Sequence, residues 1–245
     1  MRIKLEVIAL SLEDALAAEE GGADRIELIA AMEEGGLTPP IDLAKRVAAR
    51  TKLDVQVMVR PHGRSFAYAE PELERMAEDI RAIRRLGKPG IVLGCLTPDK
   101  RADSRALSRL LDEAGESNVT FHRAIDEAAD LEQAYRELGA FPSIRRVLTS
   151  GGAPAAPEGA ALIRRLRQLE AAMPGAPAVM AGSGLTIGTL PRFLAETGVR
   201  EVHLGTGVRS LDGAGRSRVD PRKVAKVREL LDRMSARQRA YPNAP

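Results

Sequence analysis

Short apolar runs and longer amphipathic runs alternate along the whole chain. The short runs are rich in Val, Ile and Leu, as buried strands are, and the longer runs repeat apolar residues at helical spacing. The predicted strands are residues 3–8, 25–29, 54–60, 90–95, 118–122, 145–149, 178–181 and 201–204. The predicted helices are residues 11–20, 40–50, 71–86, 103–113, 131–138, 158–172, 189–196 and 221–234. The pattern is therefore eight strand–helix units in series.

Residues at the ends of the predicted helices support these units. Ser11 is placed to cap the first helix, and Pro40, Pro71 and Pro221 stand where first-turn prolines are common. Glycines follow several helices just before the next strand, as C-cap residues do: Gly21-Gly22, Gly87, Gly115, Gly139 and Gly198. The recurring helix–glycine–strand junction indicates repeats of one βα unit.

Eight such units predict a single-domain α/β TIM barrel, the (β/α)8 fold, over residues 1–237, with residues 238–245 as a flexible C-terminal tail. The alternative is a doubly wound open sheet, which usually has a glycine-rich phosphate-binding turn after the first strand. Here that turn, residues 8–11, reads Ile-Ala-Leu-Ser. The missing glycines favour the barrel.

Composition narrows the classes of partner. The chain has 245 residues, 44% hydrophobic and 29% charged, with a net charge of +3. Aromatic residues make up 3% and Trp is absent, which argues against base stacking, and the arginines are scattered rather than clustered. We therefore expect no nucleic-acid partner.

The single cysteine, Cys95, excludes an intrachain disulfide and a cysteine-rich metal cage. The N-terminus does not resemble a signal peptide, and no apolar run approaches the ~20 residues of a membrane span. We expect a cytoplasmic protein with no membrane association.

Polar residues stand where several strands end, and strand alternation predicts which of them face the barrel interior. Residues 119–126 are the clearest case, because the apolar start of this stretch gives way to His122, Arg123 and Asp126. The side chains predicted to point inward are Glu6, Arg25, Glu27, Gln56, Met58, Arg60, Thr120, His122, Val147, Thr149, Glu201 and His203. TIM-barrel sites form at this carboxyl end of the strands.

This ring predicts an acid–base site. Glu27, His122, His203 and Asp126 are the candidate catalytic residues, because His and buried carboxylates exchange protons near neutral pH. Glu6, Arg60 and Arg123 are candidate ligand-binding residues. Alternatively, Glu27 forms a structural ion pair with Arg25 or Arg60.

Glycine-rich turns follow the last three strands. Residues 149–152 read Thr-Ser-Gly-Gly, residues 181–184 Ala-Gly-Ser-Gly, and residues 205–207 Gly-Thr-Gly. Such turns bind phosphate or another oxyanion in many barrels. The candidate anion-binding residues are Thr149, Ser150, Gly151, Gly182, Ser183, Gly184 and Gly205. The alternative is that glycine only permits tight turns.

Two loops are longer than a tight turn requires. Residues 61–68 follow the third strand and contain the third histidine, and residues 208–220 follow the eighth. Each is predicted as a lid over a bound ligand, an oligomer contact or a disordered segment.

Several stretches resemble the CutC family, whose members are named copper homeostasis proteins, along nearly the whole chain up to Gly205. The matching stretches are Leu5-Glu6-Val7, Gly21-Gly22-Ala23-Asp24-Arg25-Ile26-Glu27-Leu28, Glu34-Gly35-Gly36-Leu37-Thr38-Pro39, Val57-Met58-Val59-Arg60-Pro61, Thr120-Phe121-His122-Arg123-Ala124 and Leu148-Thr149-Ser150-Gly151-Gly152. The resemblance implies a cytoplasmic TIM barrel, a homo-oligomer and a role in copper handling, with copper(I) as the ion.

This chain departs from the family where copper is concerned. The resemblance implies cysteine ligands shortly after the glutamates of the first two strands, but those places hold Ile8 and Ile29. The residues themselves define no metal ligand set and no certain cofactor.

Two functional hypotheses follow, with a third left open. The first is copper homeostasis through copper ion binding, which depends on the family resemblance. The second is an isomerase, epimerase or lyase that acts on a small anionic or phosphorylated metabolite, which the charged ring favours. The third is a barrel that binds a ligand without turnover.

Overall fold

Eight parallel strands close into a barrel in the computed structural model, which describes residues 2–240 and the side chains of residues 2–236. The strands are β1 (Lys4–Ala9), β2 (Arg25–Leu28), β3 (Asp54–Met58), β4 (Gly90–Leu93), β5 (Val119–Phe121), β6 (Ile144–Thr149), β7 (Ala178–Gly182) and β8 (Glu201–Leu204). Each pairs with the next, and β8 pairs with β1. The predicted TIM barrel is confirmed.

Helices surround the barrel in the predicted order. They are α1 (Leu12–Glu20), α2 (Ile41–Arg50), α3 (Glu70–Arg84), α4 (Ser104–Ala114), α5 (Leu131–Leu138), α6 (Ala160–Ala172), α7 (Leu190–Thr197) and α8 (Pro221–Ala240). Alternate strand residues such as Val55, Val57 and Val59 are buried in the apolar core that includes the helices. Their neighbours in sequence point into the barrel and supply its polar lining.

The amino-terminal end of the barrel interior is filled by hydrogen-bonded polar side chains. Arg146 donates to Thr120 Oγ1 at 3.0 Å and to Gln56 Oε1 at 2.9 Å, and it also contacts Asn118. Arg25 donates to Glu201 at 2.5 Å. These contacts join β2, β3, β5, β6 and β8, and they close the base of the barrel.

The predicted phase of β6 was wrong. Arg146 and Leu148 face the interior, so Val147 and Thr149 face the other side. The cause is an irregularity in the β5–β6 ladder, where Val119 pairs with Ile144 but Thr120 pairs with Arg146. The extra β6 residue, Arg145, shifts the pairing by one position, which exchanges the two faces of a strand.

The loop at residues 208–220 contains a hairpin that the sequence did not predict. Its strands are β9 (Arg209–Leu211) and β10 (Ser217–Val219), which pair antiparallel. Arg209 is buried and donates to Asp14 Oδ2 at 2.7 Å, and the amide of Val219 donates to Asp14 Oδ1. Buried contacts thus hold the hairpin against α1. The sequence had predicted residues 208–220 as a lid, an oligomer contact or a disordered segment.

The last helix runs to Ala240, beyond the predicted domain boundary at residue 237. Residues 241–245 lie outside those described, so the tail remains a prediction. Within the described part of the chain, no helix combines the length and apolar character needed to cross a bilayer.

Candidate functional site

A cavity of about 300 Å³ lies at the carboxyl end of the barrel. Its titratable lining residues are Glu27, Arg60, His122, Arg123 and His203. Its apolar lining residues include Ile8, Ile29, Met32, Met58, Phe66, Leu148 and Leu185. The barrel therefore brings five predicted charged or titratable site residues into one largely apolar pocket, the usual composition of a small-molecule site.

A chain of ionisable groups leads from the pocket into the barrel. His203 Nε2 lies 3.7 Å from Glu27 Oε2, and His203 Nδ1 lies 2.6 Å from Glu6 Oε1. Glu6 also accepts from the guanidinium of Arg25. Since an ionised carboxylate only accepts, the Nδ1–H of His203 donates to Glu6, and Nε2 is directed to Glu27. Glu6 lies beneath the pocket and orients His203, rather than facing a ligand as predicted.

The surroundings of Glu27, Glu6 and His203 shift the pKa values of these three groups in different directions. Burial raises the pKa of Glu27 to about 7, and the charge of His203 only partly offsets it. Burial also acts to raise the pKa of Glu6, but Arg25 and His203 outweigh it and hold that pKa well below 4.5. Burial lowers the pKa of His203, yet Glu27 and Glu6 reverse this and the net shift is upward. Glu27 is thus a carboxyl group that exchanges its proton near neutral pH.

His122 stands at the end of β5 with one ring nitrogen occupied. Its Nδ1 accepts from the amide of Ala124 at 3.2 Å, so the proton of the neutral ring lies on Nε2. Nε2 is buried and has no partner among the described residues. Burial, followed by the charge of Arg60, lowers the pKa of His122 to about 3. At neutral pH this side chain is an uncharged hydrogen-bond donor.

Arg60 supplies positive charge at the pocket without a carboxylate partner. Its Nη1 donates to the carbonyl oxygens of Glu34 at 2.8 Å and Gly36 at 3.2 Å, and its guanidinium lies 4.6 Å from the ring centroid of Phe66. It forms no ion pair with any described carboxylate, and its Nε is buried and unpartnered. A buried cation in this state favours an anionic ligand.

Asp126 does not face the pocket. Its carboxylate accepts from Thr149 Oγ1 at 2.5 Å, from the amides of Ser150 and Gly152, and from Arg123 Nε at 2.8 Å. The turn after β6 thus uses its donors on an internal carboxylate, which leaves them unavailable to an outside anion. Asp126, Thr149, Ser150 and Gly151 stand apart from the pocket lining, whereas Arg123 lies in it.

Close packing requires the glycines at and just after the ends of β7 and β8. A Cβ on Gly182 would lie 2.7 Å from Leu148 Cδ1 and 3.2 Å from the His203 side chain. A Cβ on Gly184 would meet Ala155 at 2.5 Å, and one on Gly205 would meet Ile8 at 2.8 Å. Ser183, Gly184 and Gly205 line the pocket, while Gly182 makes room for the His203 imidazole.

Two residues that shape the site were not predicted. A Cβ on Gly94 would lie 2.5 Å from His122 Nδ1, so this β4-end glycine makes room for His122 as Gly182 does for His203. Phe66, in the loop after β3, lies between Arg60 and His122, with its ring centroid 5.0 Å from that of His122. The sequence feature that could have indicated Phe66 is an aromatic residue in an unusually long βα loop.

One group of side chains has the spacing of a metal site. Ligand atoms of Glu6, Glu27 and His203 lie within 4.8 Å of one another. However, Glu6 is engaged by Arg25 and by His203 Nδ1, so a metal ion would have to displace existing hydrogen bonds. Cys95 is buried and absent from the pocket lining.

The fold and pocket together define a single-domain TIM barrel with a cluster of ionisable side chains in a cavity at the carboxyl end of its strands. The model of the CutC family matches residues 3–208. A CutC protein from Salmonella enteritidis is 43% identical over 204 residues, which cover 83% of this chain and 80% of the relative. The chain belongs to the CutC family.

Solved structures agree at the level of the fold. A CutC structure from Streptococcus agalactiae has a TM-score of 0.75 at 30% identity and covers 83% of this chain and 98% of its own. A phosphoribosylanthranilate isomerase from Thermotoga maritima has a TM-score of 0.60 at 14% identity, with 94% and 98% covered. The second likeness concerns the barrel alone.

Proposed function

We propose that the pocket binds a small anionic metabolite and catalyses proton transfer on it, as isomerases, epimerases and lyases do. The observation that carries this proposal is a pair of buried polar atoms, Glu27 Oε1 and His122 Nε2, on residues that line one cavity; neither atom has a partner in the described part of the chain. An unsatisfied buried polar group costs ~1–3 kcal/mol, which a bound ligand recovers.

Each charged residue has a separate part in this proposal. Glu27, with a pKa of about 7, takes and returns the proton, and His203, held by Glu6, carries the positive charge that supports the carboxylate form. Arg60 attracts the anionic group of the metabolite. The apolar wall keeps water from the reacting atoms, which strengthens these electrostatic interactions.

Ligand binding tests the proposal most directly. A panel of small carboxylates and phosphate esters is screened by thermal unfolding, where a ligand that binds the folded state raises Tm. We expect some of them to raise Tm in the parent and to have no effect on Arg60→Met. The control is Arg64→Met, in the loop that directly follows Arg60, because Arg64 is exposed and paired with Glu72. If no anion raises Tm, or if Arg60→Met responds like the parent, the proposal fails.

Copper handling is a second candidate function. The name of the Streptococcus agalactiae relative refers to copper homeostasis, and the thioethers of Met32 and Met58 line the pocket with His203. Cu(I) prefers sulfur ligands and accepts imidazole. The residues do not fit a thiolate site, since Ile8 and Ile29 occupy the expected cysteine positions and burial raises the pKa of Cys95 above its usual range.

Cu(I) titration under reducing conditions tests this second candidate. If copper is cargo of the pocket, about one equivalent is retained against a weak chelator, and the double variant Met32→Leu, Met58→Leu loses it. Cys95→Ala is the control and should retain copper, because Cys95 lies outside the pocket lining. Failure of the parent to retain copper removes direct binding.

Assembly as a homo-oligomer and a cytoplasmic location are further proposals, supported by membership of the CutC family. Light scattering coupled to size-exclusion chromatography tests the first, with an expected mass of at least twice the 26.4 kDa of one chain. Cell fractionation tests the second.

A further inference from the structure

The protonation of His122 is fixed by the backbone. The Ala124 amide is a donor and contacts Nδ1, so this nitrogen must be the acceptor, and the ring proton lies on Nε2. Gly94 packs against the Nδ1 edge of the ring, and Phe66 contacts the ring from the loop after β3. The N–H is thus held in one direction before any ligand binds.

The ring also stays neutral. Burial and the nearby Arg60 both disfavour the imidazolium, and they lower the pKa of His122 to about 3. A neutral imidazole does not serve as a proton reservoir at physiological pH, but its N–H still donates a hydrogen bond. This distinguishes His122 from His203, whose pKa is raised by the two glutamates.

A proton acceptor lies in the same pocket. Glu27 lies in β2 and His122 follows β5, with β3 and β4 between them on one side of the closed barrel. Both residues line the cavity, and each has a buried atom for which residues 2–236 supply no partner. The cavity therefore offers a bound molecule one neutral donor and one carboxyl group that exchanges its proton near neutrality.

From this arrangement, and resting on the proposed function, we infer that the substrate is an anionic carbonyl compound with an acidic C–H beside the carbonyl, and that His122 Nε2–H donates to the carbonyl oxygen. The C–H proton passes to the Glu27 carboxylate, and the C–H electron pair forms a carbon–carbon double bond. The carbonyl π pair moves to the oxygen, which becomes an enolate held by His122. Where the C–H carbon also carries a hydroxyl group, the hydroxyl proton passes to the enolate oxygen and the O–H electron pair forms the new carbonyl. The carbon–carbon double-bond pair then takes the proton from Glu27 at the neighbouring carbon, which completes an isomerisation.

The single neutral donor favours this substrate class over a phosphate held at His122. An oxyanion with several exposed oxygens calls for several donors or charges, and at His122 the structure offers one N–H. A donor aimed at an oxygen that gains charge during the reaction stabilises the transition state more than the ground state. The anionic group of the substrate is assigned to Arg60.

Planar enolate mimics test this assignment. The probes are phosphoglycolohydroxamate, which resembles an enediolate, and phosphoglycolamide, which resembles the carbonyl ground state. Both carry the anionic group that is assigned to Arg60. Dissociation constants are measured by NMR titration of the labelled protein, and the histidine ring nitrogens are observed directly in the same sample. We expect the hydroxamate to bind at least about tenfold more tightly than the amide. We also expect the chemical shift of His122 Nε2 to be that of a protonated ring nitrogen, and we expect this resonance to move when the hydroxamate binds.

Variants separate the role of His122 from general damage. His122→Leu should abolish the preference for the hydroxamate, and His122→Gln, which keeps a side-chain N–H, should restore part of it. His62→Gln is the control, because His62 pairs with Glu72 and lies outside the pocket lining. It should bind both probes as the parent does.

The outcomes also separate this inference from the proposed function. Equal affinity for the two probes, or a proton found on Nδ1 of His122, overturns the inference. If anions still bind in the Arg60-dependent manner described above, the proposed function then stands without it. If no anion binds, both are overturned.

Discussion

At the scale of single residues, Glu27 combines burial with an incomplete set of partners. Oε1 has no hydrogen-bond partner among the described side chains and backbone, and Oε2 lies 3.7 Å from His203 Nε2, beyond hydrogen-bond distance. Burial consequently dominates and raises the pKa to about 7 from an ordinary value of 4.5. The folded protein holds this proton more tightly than the unfolded chain does, so Glu27 links stability to pH.

Glu27→Gln should therefore alter the pH dependence of stability. Between about pH 4.5 and 7 the unfolded chain ionises Glu27 first, so the parent's free energy of unfolding falls through this range and stays lower above it. Gln at position 27 cannot ionise, so the variant avoids this loss of unfolding free energy, which is on the order of 3 kcal/mol. Urea unfolding at pH 5 and pH 8 measures it, and the variant should gain relative to the parent at pH 8. Glu33→Gln, at an exposed turn, is the control, and a parent–variant difference that does not change with pH would refute the assignment.

His203 depends on Glu6 for its orientation and charge. Glu6→Gln keeps the shape of the side chain but removes the carboxylate that accepts from His203 Nδ1 and pairs with Arg25. We expect the pKa of His203 to fall, and the free energy of unfolding to drop by ~3–5 kcal/mol because Arg25 loses a buried partner. NMR titration and urea unfolding measure the two effects. A lower stability with an unchanged His203 pKa would leave Glu6 a structural residue only.

At the scale of elements, sequence pattern predicted the order of strands and helices well. Apolar runs and glycine junctions are local signals, and they placed Glu27, Arg60, His122 and His203 at one end because parallel strands share direction. Strand phase failed in β6, where Arg145 and Arg146 are adjacent and chemically alike. Alternation cannot tell which of two neighbouring arginines turns inward when an irregular ladder shifts the register by one residue.

The β9–β10 hairpin was missed for a different reason. Its anchor, Asp14, lies in the first turn of α1, and residues 209 and 219 reach it from the far end of the chain. The local sequence of residues 208–220 does not indicate a partner that lies 195 positions before residue 209 and 205 positions before residue 219. For the same reason the role of Phe66 between Arg60 and His122 was not predicted.

The hairpin anchor gives a prediction at this scale. Arg209→Met leaves Asp14 buried without its cation, which should lower the free energy of unfolding by ~3–5 kcal/mol. Hydrogen exchange should increase in residues 209–219 before it increases in the barrel strands. Arg216→Met is the matched control in the same hairpin, since its pair with Asp212 is exposed and should contribute at most ~1 kcal/mol. Equal effects of the two substitutions would show that the buried pair does not anchor the hairpin.

At the scale of the whole molecule, the two ends of the barrel differ in how completely their buried polar groups are hydrogen-bonded. At the base, Gln56 accepts from Arg146 at 2.9 Å and donates to Asp54 at 2.8 Å. At the mouth, Glu27, Arg60 and His122 each have a buried atom without a partner among the residues that the structure describes. Buried polar groups that are fully hydrogen-bonded stabilise the fold. Buried polar groups without partners lower its stability and are typical of ligand-binding sites.

A matched pair of substitutions tests this division. Gln56→Met and Glu27→Met replace side chains of similar length, at opposite ends of the barrel, with the same apolar group. Gln56→Met leaves Arg146 one acceptor short, so it should lower the free energy of unfolding by ~1–3 kcal/mol and leave anion binding at the mouth unchanged. Glu27→Met removes a carboxyl group that is unfavourable when ionised, so at pH 8 it should raise the free energy of unfolding. Urea unfolding and ligand-dependent Tm shifts on both variants measure these effects. Loss of stability in both variants would mean that Glu27 stabilises the fold as Gln56 does. The polar groups at the two ends of the barrel would then not differ in their effect on stability.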